Sequence, residues 1–202
     1  MNHEYLNKPA EYENIIIADA DYIDRVAFNL IVNFERILGR RIPPADMARW
    51  VDCIALDGGL REGTHHTLIV LIHDKEHTQM ENFMPNDLQQ ELHGQAFKDH
   101  LGEFSFHALP VEEMVGHDEL FLDIVGTVCR QQEVKRVMII PNAEEGDLYN
   151  DLRETLHHID DDGKRITVFT MQPMPGGNFR QEILGYSLMN ALGIQSEEIK
   201  GE

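Results

Sequence analysis

Apolar residues run unbroken through Ile15, Ile16, Ile17 and Ala18, and then the rhythm changes. The unbroken run predicts a strand over 14–20 that is buried on both faces. From 22 to 38, Ile23, Val26, Ala27, Leu30, Ile31, Phe34, Ile37 and Leu38 recur at the helical period. Asp21 stands where an N-cap belongs, Asp24 follows three residues on, and Gly39 closes the helix. The apolar stretches at 50–58 (WVDCIALDG) and 66–74 (HTLIVLIHD) predict two more strands. Only GLREGTHH separates them, too short for a helical crossover, so they are antiparallel or joined by a long loop. The polar stretch 79–100 is broken at Pro85, with helix expected on either side.

Beyond residue 100 the pattern becomes regular. Strands are predicted at 103–109, 135–141 and 164–171, with helices at about 117–132 and 147–160 between them and a last helix at about 178–193. This alternation requires a mostly parallel sheet with right-handed crossovers and helices on both faces. The expected fold is a three-layer α/β/α sandwich of Rossmann-like type. No repeat, low-complexity tract or linker interrupts the chain, so 1–202 reads as one α/β domain. Phe28 and Val32 lie off the main apolar stripe of the first helix, and the last helix carries Phe179, Ile183 and Tyr186 beside Leu184, Leu188, Ala191 and Leu192. Such wide apolar faces are covered either by a homodimer interface or by the rest of the domain.

Candidate chemistry follows from that architecture, because open α/β sheets bind ligands outside the carboxyl ends of their parallel strands. Asp19 and Asp21 fall there after the first strand, the stretch 142–147 after the RVMII strand, and 172–178 after the last. Asp57 and Asp74 join this edge only if the two middle strands run parallel to the first. Carboxylates converging on one edge repel one another, and a hard divalent cation, Mg²⁺ or Mn²⁺, relieves that repulsion and can activate water against a phosphoester. The bland alternative is that IIIADADYID merely starts a helix. Gly176, Gly177 and Asn178 precede a predicted helix start, where backbone N–H groups could receive a phosphate; a turn capped by Asn178 explains them equally well. Two pairs among the eleven His residues are adjacent in sequence, and no metal-binding His spacing is present.

IIIADADYID, followed by RVMIIPNAEEGDLYNDLRETLHHIDDDGKRITVF, resembles the NYN branch of the PIN-like metal-dependent nucleases. That resemblance implies Asp19 and Asp147 as principal metal ligands, with Asp21 assisting. The same segments are similar to the haloacid dehalogenase superfamily, through DAD and GDLYND. The implied roles there are Asp19 as nucleophile, Asp21 as general acid and base, and Asp147 and Asp151 as residues that help hold Mg²⁺. The chain as a whole, judged mainly from 19–63, resembles an uncharacterised family of Bacteroidetes proteins, which implies no activity. The expected function is therefore an Mg/Mn-dependent phosphoester hydrolase of PIN/NYN-like type. The alternatives are a dehalogenase-type phosphatase and a noncatalytic binding or assembly protein. The partner would be a small phosphorylated molecule or a nucleic acid.

Composition changes this picture in two ways. The first thirteen residues are polar and no apolar run approaches the roughly 20 residues of a membrane span, so the expectation is a cytoplasmic protein without a membrane partner. Cys53 and Cys129, each inside an apolar run, are expected as buried free thiols. The second change is electrostatic. Thirty-six acids against 17 Lys and Arg give a net charge of −19, and 144–162 alone carries eight acids and one Arg. That surface repels a phosphate backbone, whose affinity for proteins rests mainly on Lys and Arg contacts. Single-stranded RNA is therefore expected to bind more weakly than about micromolar at physiological salt. Fluorescence polarisation checks this, and tight, salt-sensitive binding would contradict it.

Overall fold

The computed structural model describes residues 12–159 and 163–199. Nine strands appear in chain order: β1 (Asn14–Asp19), β2 (Ala45–Asp46), β3 (His65–Asp74), β4 (Phe83–Met84), β5 (Ala96–Asp99), β6 (Gly102–Val111), β7 (Arg136–Ile140), β8 (Arg165–Thr170) and β9 (Arg180–Ile183). The helices are α1 (Ala20–Leu38), α2 (Met47–Asp57), α3 (His117–Arg130), α4 (Leu148–His157), α5 (Leu184–Ala191) and α6 (Ser196–Ile199), and Leu88–Leu92 forms one π-helical turn. Seven strands make one sheet in the order β5-β6-β3-β1-β7-β8-β9, and β2 and β4 pair separately. Six strands of the large sheet run parallel; β5 alone is antiparallel, against β6.

Taken in chain order, the six parallel strands are arranged 3-2-1-4-5-6. The sheet grows outward from β1 to β3 and β6, then reverses to β7, β8 and β9, so the switch point lies between β1 and β7. Alternation along β1 divides the core. Ile16 and Ala18 join a cluster with Val26, Trp50, Ile54 and Leu188, whereas Ile15 and Ile17 join one with Phe121, Ile124, Leu152 and Leu156. Thus α1, α2 and α5 cover one face and α3 and α4 the other, the three-layer α/β/α arrangement that the regular half of the pattern predicts.

The differences from the pattern have physical causes. The stretch 50–58 is helical: Met47, Trp50, Val51, Ile54 and Ala55 form one buried stripe, and Asp46 caps the helix by accepting from the Arg49 N–H at 3.1 Å. With a helix there, the link from β1 to β3 is a full crossover and β3 runs parallel to β1. In 79–100 the expected helices are replaced by β4, the π turn and β5. The first helix starts at Ala20 and its N-cap is Asp19, not Asp21. The segment 180–183 is an edge strand, which delays the last helix to Leu184. Phe28, Val32 and Tyr186 are all exposed, so the rest of the described chain does not cover them. Both cysteines are free; Cys129 is buried and Cys53 half-buried. Among the described residues no helix is long and apolar enough to cross a membrane.

Gly102 opens β6 with φ +120, and a Cβ there would be driven into the His65 backbone of the neighbouring strand. Neither the left-handed backbone nor the strand–strand spacing can yield. Gly102→Ala should destabilise the fold by about 2–4 kcal/mol, read as a lower urea midpoint at unchanged m-value.

Candidate metal centre

The strand-to-helix junction at the end of β1 is held by its own carboxylate. Asp19 Oδ1 accepts from the Tyr22 N–H at 2.9 Å, so the first turn of α1 forms directly above the carboxyl end of the sheet. Asp19 is 3% exposed. Its second oxygen lies 3.7 Å from Nε2 of His117, the first residue of α3. Asp21, one turn position further, accepts from the Asp74 N–H at the end of β3 at 2.6 Å, and its other oxygen lies 3.4 Å from His77 Nδ1. One ligand atom from each of Asp19, Asp21 and His117 lies within 4.8 Å of the others. This is the convergence of β1, β3 and α3 that the strand order creates beside the switch point.

The three residues wall a cleft of about 290 Å³, with Tyr22, Arg25, Asp74, His77, Asp118 and Asn142 completing it. Arg25 stands over the Tyr22 ring at 5.6 Å, pairs with Glu145 at 3.0 Å and reaches the Asn142 side-chain oxygen at 3.4 Å. It puts a half-exposed cation at the rim of an otherwise acidic cleft. Burial pushes the Asp19 carboxyl up to about 6, against the opposing pull of His117 and of the Tyr22 N–H. A carboxylate desolvated to that extent is one that a cation would stabilise.

Asp19 and Asp21 are thus brought together, and Asp147 and Asp151 are not: neither lines the cleft nor joins the three-ligand group. β7 does lie beside β1, but six residues separate Ile140 from Asp147, and the chain uses them to reach the start of α4. Asp147, the N-cap of that helix, and Asp151, in its first turn, are both exposed, and Asn142 is the residue of this loop that reaches the cleft. Asp74 joins the carboxyl edge because β3 is parallel. Asp57 ends α2 instead, at the amino edge, where the next residue, Gly58, accepts from Arg136 of β7. Asn178 precedes a strand and caps no helix start; its amide donates to the Leu156 carbonyl at the end of α4 at 2.7 Å.

His117 was not among the residues that the sequence singles out. It stands at the first position of a helix that follows a strand, which is the signal that could have found it. Its nearness to Asp19 across 98 positions depends on α3 crossing back over β3 and β1 toward β7.

The chain belongs to a family of unknown function (DUF6621), which it matches over residues 10–199. No curated protein and no solved structure shows a significant match to it.

Burial raises the Asp19 carboxyl from its ordinary value of 3.8 to about 6, so between these values the native protein holds a proton that the unfolded chain has released. In chelator, stability should therefore fall as pH rises from about 4 to about 6 and stay level above that. Asp19→Asn keeps an N-cap and removes the charge; it should stabilise the metal-free protein above pH 6 by about 1–3 kcal/mol and flatten that slope. Chemical denaturation of both proteins across this range checks the sign.

Proposed function

We propose that the protein is a divalent-metal-dependent phosphoester hydrolase, with Asp19, Asp21 and His117 holding the ion. One observation carries this reading: three ligand atoms from two separate segments converge within 4.8 Å beside the switch point of the sheet. Two carboxylates and an imidazole are a mixed donor set, which suits Mn²⁺ or a neighbouring first-row ion better than Mg²⁺, whose preference is for oxygen alone. When bound, such an ion supplies Lewis acidity and a water-derived nucleophile at neutral pH.

The chain's own groups do the rest. The Asp74 N–H fixes the Asp21 carboxylate, and the Tyr22 N–H fixes that of Asp19. Arg25 at the rim, tethered by Asn142 and Glu145, is placed to receive the nonbridging oxygens of a phosphoryl group. His77, exposed at the mouth, can return a proton to the leaving oxygen. The net charge of −19 favours a small phosphorylated substrate over a nucleic acid. The dehalogenase-type reading is less well supported. It needs Asp19 as an accessible nucleophile, yet this carboxylate is buried and one of its oxygens caps α1. The PIN/NYN-like reading loses Asp147 as a ligand and keeps Asp19.

Turnover of bis(p-nitrophenyl) phosphate should depend on Mn²⁺, exceed that with Mg²⁺, and fall by roughly 100-fold or more in Asp21→Asn and His117→Ala. Calorimetric Mn²⁺ binding measured alongside separates chemistry from ligation. Binding without turnover would make the protein a metal-binding module, and no binding at all would end the reading.

A further inference from the structure

Helix α2 and the edge strand β5 face one another across a gap that changes character along its length. At one end Met47 and Ala48 of α2 and Ala96 and Phe97 of β5 wall an apolar cavity of about 230 Å³, which Leu92 and Phe106 help to enclose. Phe97 is held there by stacking on Phe104, with ring centroids 4.9 Å apart. Asp52 stands one helical turn on from Ala48, and Asp99 stands two strand residues on from Phe97, so each follows its apolar neighbour on the same side of its element. Both advances come to about 6–7 Å. The apolar gap therefore ends in two carboxyl groups, one from each side.

Asp52 lies within hydrogen-bonding reach of Asp99. Asp52 Oδ1 and Asp99 Oδ2 are both shielded from solvent, and no described residue donates to either. The other Asp99 oxygen is fixed by accepting from the Leu101 N–H at 2.7 Å. Two carboxylates in such contact repel, whereas one carboxylic acid and one carboxylate make a charge-assisted hydrogen bond. The charges that surround the pair do not take the place of that proton. His100, in the turn between β5 and β6, is 55% exposed and its Nδ1 stands 4.0 Å from Asp99 Oδ2, beyond hydrogen-bonding distance. Asp46, at the start of α2, adds repulsion. Arg49 is turned to Asn190, to which it donates at 2.6 Å, and Cys53 is a neutral thiol that burial pushes up. Across the ladder from Asp99 is Gly102, which has no side chain, while Lys98 faces the other side of β5, opposite Glu103. From the loop after α2, the Gly63 N–H reaches this turn and donates to the His100 carbonyl at 3.1 Å. Burial, together with the hydrogen bond to Asp99 and its charge, raises the Asp52 carboxyl to about 7, with His100 opposing.

We propose that Asp52 and Asp99 share one proton, and that this proton is a latch holding the edge strand β5 against α2. While it is in place, the gap is closed at its polar end. When it leaves, like charges face each other across the gap, and β5 is held by its short ladder to β6 and by the Phe97 stack. Opening solvates both carboxylates and removes the reason to keep the proton. The closed state thus binds a proton that the open state has released, so opening becomes easier as pH rises from about 4 to about 7 and stays level above that. A released β5 bares the backbone groups of β6 and the apolar cavity beside it. Mild acid therefore closes this edge of the sheet and neutral or alkaline conditions loosen it. Neither acid lines the cleft at Asp19, so the latch is independent of the candidate metal centre.

The test is amide hydrogen exchange of the full chain, read by NMR from about pH 5 to about pH 8 in chelator, so that no cation can stand in for the proton. Protection factors of the β5 amides that bond to β6 should fall by about tenfold or more across that range, relative to those of β7 in the middle of the sheet. In Asp52→Asn the side-chain amide donates to Asp99 at every pH, and β5 should keep its protection at the alkaline end. Asp52→Asn leaves Asp19 in place, so a loss that belongs to Asp19 would persist in this variant. Asp52→Ala should leave β5 poorly protected throughout. Carbon-13 carboxyl NMR of the parent reads the proton directly and holds even if a variant folds poorly: the pair should titrate in two well-separated steps, the upper one near neutrality. Unchanged β5 protection across the range in the parent, an equal fall in Asp52→Asn, or both carboxyls titrating together in the ordinary carboxylate range overturns the proposal.

Discussion

Everything in this structure depends on β1 being buried on both faces. Ile16 and Ile17 are fully buried on opposite sides of the sheet, and that is possible only with a helical layer on each side and a hydrogen-bonded strand at each flank. The strand order follows from this constraint. The chain lays β3 and β6 to one side of β1, covers that part of the sheet with α1 and α2, and returns through α3 on the other face to lay β7, β8 and β9. The reversal leaves a crevice above the end of β1, and Asp19 stands there.

The acids of IIIADADYID have separate structural tasks, which clarifies why their spacing alone decides so little. Asp19 caps α1 and faces His117. Asp21 ties α1 to the end of β3. Asp24 accepts from the Glu81 and Asn82 N–H groups, and so clamps the β3–β4 connection onto α1. Burial holds its carboxyl above the ordinary range despite those bonds. A helix-capping role and a ligand role do not exclude one another at Asp19, because the cap uses one oxygen and the cleft receives the other.

Charge is sorted along the strand direction. In a doubly wound sheet the helices that follow strands begin at the carboxyl edge, where their dipoles favour acids, and Asp21, Asp118, Glu119 and Asp151 all lie in first helical turns. Arg61 sits correspondingly against the Leu56 carbonyl in the last turn of α2. Arg136, Arg165 and Arg180 lie on strands, so this principle does not account for them. The described residues thus put carboxylates at the carboxyl edge and, at the amino edge, arginines interspersed with acids such as Glu13, Asp57 and Glu182.

The sequence by itself determined the layers, because long apolar runs and helical stripes report directly which faces are buried; β1, β3, β6, β7, β8, α1, α3 and α4 were all legible in this way. It determined that Asp19 and Asp21 stand at the carboxyl edge, since side chains that follow a parallel strand can lie nowhere else. The stripe from Met47 to Ala55 was present too, but a short apolar run beginning at Trp50 fits a strand equally well, and only packing against β1 and α5 separates the two. The partners of Asp19 lay beyond local pattern. His117 reaches it because α3 crosses back over two strands, Asp147 misses it because a six-residue loop precedes α4, and Arg180 lies beside β8 because β9 adds to the sheet edge where a helix was expected. Each of these depends on strand order and loop path, long-range properties that periodicity in a single sequence does not encode.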